Sequence, residues 1–211
     1  MLQSNSARLL LASASNASRL LLPSLSRVAL ATPTRRLLHQ AAATHNIDIG
    51  DHIPTGIPVF DKTPLEKIDM GKELAGKKVL IVGVPGAFSP TCTEQTVHDY
   101  VRKLPYFMSR GFQQLIFVSV NDPYVMAAWR DSLGIPAHHP NVVFLSDPKG
   151  KFVEKLGLTF DASDFMGNHR AKRFTLAVED GLVVAKFVEK DSTKCDITLP
   201  KRILDKLPGL D

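Results

Sequence analysis

The middle of the chain alternates between continuous apolar runs and segments whose apolar residues recur every three to four positions. Continuous apolar runs are typical of buried strands, and the wider spacing is typical of amphipathic helices. The runs predict strands at residues 77–84, 114–120 and 142–145. The wider spacing predicts helices after Cys92, from residue 123 to 134, and from residue 147 to 156. This alternation favours right-handed crossovers and a largely parallel centre of the sheet.

The predicted helix after Cys92 has an apolar face, formed by Val97, Tyr100, Val101 and Leu104. Two patterns mark its beginning. Thr91 and Glu94 have the spacing of a capping box, and Ser89-Pro90 has the spacing of an N-cap followed by proline. Both patterns place Cys92 in the first turn.

Other signals predict the remaining elements. Asp180-Gly181 joins apolar runs at residues 173–178 and 182–188, which predicts a β-hairpin. A last helix is expected at residues 201–207, short extended segments at residues 47–60, and a polar surface segment at residues 63–76. The helix from residue 123 has an apolar face of Val125, Ala128, Trp129 and Leu133, and Trp129 is expected in the core. These elements suit an α/β, thioredoxin-like domain over residues 47–211, with a central mixed sheet flanked by helices.

The N-terminal stretch carries the basic excess of the chain. Residues 1–47 contain five arginines and no Asp or Glu, whereas the other 164 residues carry 21 basic and 21 acidic side chains, because 26 minus 5 is 21. An Arg-rich, Ser-rich, acid-free composition predicts a disordered mitochondrial transit peptide at residues 1–46, removed on import to the matrix. A merely disordered tail is the alternative. The neutral body gives no support to nucleic-acid binding, and no apolar stretch reaches the roughly 20 residues of a membrane span.

The chain has two cysteines, Cys92 and Cys195, which lack the close spacing of a zinc site or thioredoxin motif. The first turn of a helix has unpaired N–H groups and the positive end of the dipole, which favour a thiolate. Position alone leaves two interpretations of Cys92 open, a reactive thiol and a small buried core residue.

The residues around Cys92 resemble a known signature. Pro85, Ser89 and Cys92 stand as P-x-x-x-S-x-x-C, similar to the P-x-x-x-(T/S)-x-x-C signature of the peroxiredoxins. The fuller string from Val84 to Cys92 resembles the type II, or peroxiredoxin-five, subfamily. Further strings of this kind lie at residues 119–126, 128–129, 144–148 and 172–174. The resemblance therefore runs from about Ile47 to Leu207.

This resemblance implies roles for four residues. Cys92 would be the peroxidatic cysteine, Arg173 would reach the same site, and Pro85 would shield the thiol. Ser89 would take the place that most members give to threonine. Serine keeps the hydroxyl but loses the methyl group that stiffens the rotamer, so we expect retained activity with a less rigid site.

Cys195 is the candidate resolving cysteine. Plant members of the family often carry their second cysteine where this chain has Phe117. In this sequence the only thiol besides Cys92 is Cys195. It follows the last predicted strand in a polar stretch that reads as a loop, and some peroxiredoxin-five members carry a resolving cysteine near this point. The alternative is a one-cysteine enzyme whose Cys92 is resolved by an external thiol.

The resemblance implies a thiol peroxidase that reduces hydrogen peroxide and small organic hydroperoxides through a sulfenic acid. Thioredoxin or a glutathione/glutaredoxin system would recycle the enzyme. The resemblance also implies that the enzyme is a homodimer and needs no metal, flavin, haem or other cofactor. Complete ionisation of a free thiol raises the fraction present as the nucleophilic thiolate by only about 30-fold. Donors from the Cys92 N–H, Ser89 and Arg173 to the departing oxygen would therefore supply the larger part of the acceleration.

Three other functions are alternatives to a thiol peroxidase. A peroxide sensor or redox relay, which passes a disulfide to a partner protein, is not separated from a peroxidase by the sequence. A binding or chaperone module without chemistry is disfavoured because Ser89, Cys92 and Arg173 are all present. A Cys-His hydrolase is disfavoured because His98 shares no clean helical face with Cys92, and His138-His139 lies in a Pro-flanked loop.

Overall fold

A sheet of seven strands organises residues 46–207, the part of the chain that the computed structural model describes. The predicted leader lies outside these residues apart from Asn46, and so do residues 208–211 of the predicted domain. Within the described range, no helix has the length and apolar character needed to span a membrane.

The elements follow one another in the order expected of an α/β domain. The strands are β1 (Pro58–Asp61), β2 (Lys67–Asp69), β3 (Lys78–Gly83), β4 (Gln114–Ser119), β5 (Val142–Ser146), β6 (Thr159–Asp161), β7 (His169–Ala171), β8 (Phe174–Glu179) and β9 (Leu182–Val188). The helices are α1 (Met70–Glu73), α2 (His98–Met108), α3 (Pro123–Ser132), α4 (Lys151–Lys155), α5 (Ser163–Met166) and α6 (Pro200–Lys206). A π-helical segment, Thr91–Val97, leads directly into α2.

The main sheet has the strand order β2-β1-β5-β4-β3-β8-β9. Its centre is parallel, because β3 pairs with β4 and β4 pairs with β5 in the same direction. The two sides are antiparallel, with the β8–β9 hairpin on one side and β1 and β2 on the other. The predicted mixed sheet with a parallel centre is therefore confirmed.

Both faces of the sheet are covered, which explains why its central strands are continuously apolar. Along β3, Val79 and Ile81 belong to a buried cluster on one face, whereas Leu80 and Val82 belong to the cluster on the other. Trp129, fully buried, packs in the second cluster, as predicted for a core residue. Cys92 belongs to the same cluster.

The predicted hairpin and last helix are also confirmed. Asp180 and Gly181 have φ values of 49° and 76°, the left-handed conformation that a two-residue type I′ turn requires. In α6, Ile203 is buried and Leu204 is partly buried, and Leu207, directly after the helix, is buried as well.

Residues 63–76 are not the polar surface segment that the sequence indicated. They form β2 and α1, and Met70 and Leu74 are fully buried in the core. The Asp69 side chain accepts a hydrogen bond from Gly71 N at 3.1 Å and so begins this helix. An element of four residues is too short to show a helical period in sequence.

Two details of the predicted helices are wrong. The helix expected from residue 147 begins only at Lys151, because Gly150 is left-handed with φ of 66°. Asp147 is buried instead, where its carboxylate accepts from Val153 N at 2.9 Å, and burial raises the pKa of Asp147. In α3, Ala128 is exposed, because the buried face is centred on Met126 and Trp129.

The sequence analysis missed a small second sheet. Strands β6 and β7 pair antiparallel, and α5 connects them. This unit lies between α4 and β8 in sequence, and its side chains contribute to the cleft described next.

Candidate active site

The loop after β3 carries Cys92 to the end of the sheet. An added Cβ at Gly83 would overlap the ring of Phe174, so only glycine fits at the end of β3. Beyond it, Ala87 N donates to the Asn121 side-chain oxygen at 3.0 Å. Phe88 has a φ of 61°, which is uncommon for a residue other than glycine. The loop is thus tied to the residues that follow β4.

Cys92 is the second residue of the π-helical segment, and its side chain is fully buried. Its expected position in the first turn is confirmed. Pro90 is already helical and Thr93 N donates to Ser89 O at 2.9 Å, so the helix begins where the Ser89-Pro90 pattern placed it. The capping box of Thr91 and Glu94 is wrong, and no side chain caps this helix start. Short π-helical turns are frequent at functional sites.

Arg173 reaches Cys92 from the strand next to β3. It directly precedes β8, and Phe174, the first residue of β8, pairs with Gly83 at the end of β3. Arg173 Nη2 donates to Cys92 Sγ at 3.4 Å, and Nη1 donates to Thr96 Oγ1 at 2.9 Å. The side chain is only 2% exposed.

The positive charge of Arg173 has no carboxylate partner among residues 46–207, and its Nε has no hydrogen-bond partner there. A buried cation without a counter-charge is costly, by several kcal/mol for an isolated ion. The guanidinium is therefore placed to stabilise negative charge that develops beside it during a reaction at the Cys92 sulfur.

Ser89 and Pro85 lie at the same place. Both line a cleft of about 200 Å³, together with Arg173. The Ser89 hydroxyl donates to Gly86 O at 3.1 Å, and Pro85 is buried. The structure therefore brings together four of the sequence-predicted residues, Pro85, Ser89, Cys92 and Arg173.

One wall of the cleft comes from residues that the sequence pattern did not indicate. Phe160 of β6 and two α5 residues, Phe165 and Met166, also line it. The rings of Phe160 and Phe165 lie 6.3 Å apart. Elements of three and four residues show almost no period, so the available signals were the polar-apolar-polar order of β6 and the helix stop at Gly167. These side chains make part of the cleft apolar.

Arg170 fixes this part of the cleft to the sheet. Its guanidinium donates from Nη1 to Val120 O at 2.7 Å and from Nη2 to Met166 O at 3.1 Å. Burial lowers the pKa of Arg170 from its usual value. The two hydrogen bonds tie the end of α5 to the residue that follows β4.

Cys195 lies against the helix that carries Cys92, not against Cys92 itself. Its loop follows β9, as expected, and both thiols are free. Cys195 Sγ lies 3.8 Å from Thr96 Oγ1 and 3.7 Å from Thr198 Oγ1. Thr96 stands four residues after Cys92 and is fully buried, and the sequence analysis did not identify it.

A buried carboxylate closes the Cys195 loop. Glu189 Oε1 accepts from Asp196 N at 2.7 Å, and from Thr198 N at 2.9 Å and Thr198 Oγ1 at 2.8 Å. The Tyr100 hydroxyl donates to Thr198 O at 2.8 Å, and burial raises the pKa of Tyr100, so this hydroxyl stays neutral. Hydrogen bonds from β9 and α2 thus hold the loop.

The histidines named in the sequence analysis lie elsewhere. His98 is exposed, and His138 and His139 line a separate cleft of about 230 Å³ with Arg130. The geometry gives no support to a Cys-His hydrolase.

Comparison with protein families gives one match over most of the chain. The family model described as Redoxin matches residues 48–202. This range contains Pro85, Ser89, Cys92, Arg173 and Cys195.

Individual proteins give the same result. Peroxiredoxin-2B from Arabidopsis thaliana is 38% identical over 145 residues, which cover 68% of this chain and 88% of that protein. The structure of reduced Prx3 from Vibrio vulnificus in complex with hydrogen peroxide is similar with a TM-score of 0.69 and 28% identity, over 76% of this chain and 99% of that chain. The structure of peroxiredoxin 5 from Alvinella pompejana is similar with a TM-score of 0.62 and 29% identity, over 69% of this chain and 91% of that chain.

Proposed function

Because this chain belongs to the redoxin family and is a type II, peroxiredoxin-five-like thiol peroxidase, we propose that Cys92 is its peroxidatic cysteine. The observation that carries this proposal is the 3.4 Å contact between Arg173 Nη2 and Cys92 Sγ. A buried guanidinium at this distance can hold a peroxide beside the sulfur and stabilise charge on its oxygens. Cys195 is half-buried and has no cation at its sulfur among the contacts of the described residues.

In the first step, the Cys92 thiolate attacks the terminal oxygen of the peroxide. An S–O bond forms and the O–O bond breaks, which leaves a sulfenic acid on Cys92 and an alkoxide or hydroxide that takes up a proton. Arg173 is placed to stabilise the charge that grows on the departing oxygen. We propose that the Ser89 hydroxyl, which donates to Gly86 O in this structure, turns to donate to the same oxygen during the reaction. Pro85, buried at the cleft, keeps water from the sulfur.

We propose both hydrogen peroxide and organic hydroperoxides as substrates. The similarity to a structure that holds hydrogen peroxide supports the smaller substrate. Phe160, Phe165 and Met166 support the larger ones, because apolar walls favour an alkyl or aryl group.

The cycle is completed by a thiol. In our proposal, the Cys195 thiol attacks the Cys92 sulfenic acid, the S–O bond breaks as the S–S bond forms, and water leaves. Thioredoxin, or glutathione with glutaredoxin, then reduces the disulfide. The placement of Cys195 beside the helix of Cys92 supports this role.

We also propose a homodimer in the mitochondrial matrix. Phe88 and Tyr124 are 53% and 64% exposed, and exposed aromatic side chains are enriched at protein interfaces. The leader composition supports the compartment. Relatives carry peroxisomal and chloroplastic names, so they do not select one compartment for this chain.

Peroxide consumption by the full chain tests the proposal. Hydrogen peroxide and cumene hydroperoxide are supplied separately, each with the thioredoxin system and with the glutathione and glutaredoxin system. We expect turnover with at least one system and none in Cys92→Ser. Undiminished turnover in Cys92→Ser would contradict the assignment of Cys92. A mixed disulfide that accumulates on a partner without turnover would instead indicate a redox relay.

A further inference from the structure

Thr96 connects the peroxidatic site to Cys195 through a single oxygen atom. Its hydroxyl donates to Thr91 O at 3.1 Å, accepts from Arg173 Nη1 at 2.9 Å, and lies 3.8 Å from Cys195 Sγ. The side chain is fully buried, so water does not compete for these contacts. The two cysteines are therefore joined by the series Cys92, Arg173, Thr96 and Cys195.

The hydrogens in this series leave Thr96 only as an acceptor toward Cys195. A threonine hydroxyl has one hydrogen and two acceptor positions, and Thr96 gives its hydrogen to Thr91 O. Arg173 must then donate to Thr96, and the Cys195 sulfur can meet Thr96 only as a donor. Thr198 gives its hydrogen to Glu189, so it too can only accept from Cys195. The Cys195 sulfur thus lies between two hydroxyl oxygens that share its single hydrogen.

The backbone of the loop is held in the same position. Glu189 accepts three hydrogen bonds from Asp196 and Thr198, the residues on the C-terminal side of Cys195. Glu189 N also donates to Arg173 O at 2.9 Å. The loop that carries Cys195 is therefore anchored to the residue that contacts Cys92.

We propose that Thr96 is a positioning residue that holds Cys195 beside the Cys92 helix, ready for the disulfide step. This inference rests on the proposed resolving role of Cys195. Once Cys92 is a sulfenic acid, the Cys195 thiol leaves Thr96 and attacks the Cys92 sulfur. Its proton leaves with the sulfenic hydroxyl as water, and the peroxide already consumed is the only oxidant.

The benefit is one of effective concentration. A thiol on a free loop must be ordered for every reaction, whereas a thiol held in place has lost that freedom during folding. Because Thr96 also orients Arg173, one hydroxyl serves the peroxide step and the resolving step. The two steps are measured separately in the experiment below.

Three Thr96 variants of the full chain test the proposal, with Cys92→Ser alone as the reference. Thr96→Val keeps the side-chain shape and removes the hydroxyl, Thr96→Ala removes it with a smaller side chain, and Thr96→Ser retains it. Each is combined with Cys92→Ser, and alkylation of Cys195 by iodoacetamide is timed by mass spectrometry. We expect Cys195 to react about threefold or more faster in Thr96→Val or Thr96→Ala, as the loss of one weak hydrogen bond allows. Thr96→Ser should restore the slow rate.

The second measurement uses the same Thr96 variants with Cys92 intact. After one equivalent of hydrogen peroxide, quenched samples follow the sulfenic acid and the loss of two hydrogens that marks the disulfide. We expect the disulfide to form more slowly from the sulfenic acid in Thr96→Val and Thr96→Ala, and at the normal rate in Thr96→Ser. The full-length chain without these substitutions is the reference.

Equal alkylation and equal disulfide rates in all folded variants would overturn the role of Thr96. A reference chain that keeps its sulfenic acid and never loses two hydrogens would instead overturn the resolving role of Cys195. The alkylation rates still decide, in that case, whether Thr96 holds Cys195. Thr96→Ala keeps the test decisive if Thr96→Val does not fold.

Discussion

Arg173 Nη2 lies 3.4 Å from Cys92 Sγ, although 81 positions separate the two residues in sequence. The contact depends on the antiparallel pairing of β8 with β3, which places the residue before β8 beside the loop that follows β3. Because the guanidinium is buried and has no carboxylate partner among the described residues, its charge acts mainly on this sulfur.

Removal of this charge is expected to slow the oxidation of Cys92. Arg173→Ala should lower the second-order rate constant by at least about tenfold, or about 1.4 kcal/mol. The rate constant of Arg173→Lys should lie between those of the unsubstituted chain and Arg173→Ala. Lysine keeps the charge but loses the planar fork that contacts both Cys92 and Thr96. Stopped-flow measurement with hydrogen peroxide gives these constants. Lys172→Ala is the control for charge, and a normal rate in Arg173→Ala would contradict the charge argument.

Ser89 is expected to be needed for its hydroxyl. Ser89→Ala should lower peroxidase turnover, since it removes a donor from the cleft and the bond to Gly86 O. Ser89→Thr should not, because it keeps the hydroxyl. Ser109→Ala is a matched control, since the Ser109 hydroxyl donates to Tyr106 O at 2.9 Å outside the cleft. Equal turnover in Ser89→Ala and Ser109→Ala would rule out this role.

Oxidation is expected to join Cys92 to Cys195 within one chain. Mass spectrometry after one equivalent of peroxide should show the loss of two hydrogens, and Cys195→Ser should prevent it. A disulfide needs Cα atoms within about 7 Å, so the Cys92 turn is expected to unwind as the bond forms. A sulfenic acid that persists equally in both proteins would favour a one-cysteine enzyme and leave the peroxidase assignment intact.

Trp129, the single tryptophan of the chain, is expected to report this change. Its Nε1 donates to Thr93 Oγ1 at 3.1 Å, and Thr93 directly follows Cys92. Movement of the π-helical segment would break this bond and alter the indole environment. Fluorescence should therefore change after one equivalent of peroxide, less so in Thr93→Val and not in Cys92→Ser. An unchanged emission during disulfide formation would show that the segment does not move.

The leader is expected to be removed on mitochondrial import, because residues 1–47 combine five arginines with no acidic side chain. Protein purified from the native cell should begin near Ile47, as measured by mass spectrometry of the N-terminal peptide. Recovery of mature protein that retains residue 1 would refute this expectation.

The sequence by itself determined the parallel centre of the main sheet, its β8–β9 hairpin and the place of Cys92. Long apolar runs such as the one before Pro85 have one stable location, a strand covered on both faces, and Asp180-Gly181 suits a type I′ turn. Local signals of this kind need no knowledge of distant residues. They failed where elements are short, as in α1 and β6, because three or four residues carry almost no period.

Only the tertiary structure decided what surrounds the sulfur. No local pattern shows that Arg173 is buried without a carboxylate, that Phe160 and Phe165 line the cleft, or that Thr96 lies between Arg173 and Cys195. These relationships depend on the strand pairing that brings β8 beside β3 and on the loop that Glu189 closes. Contacts between residues far apart in sequence are set by packing and by buried hydrogen bonds, and these exist only once the chain has folded.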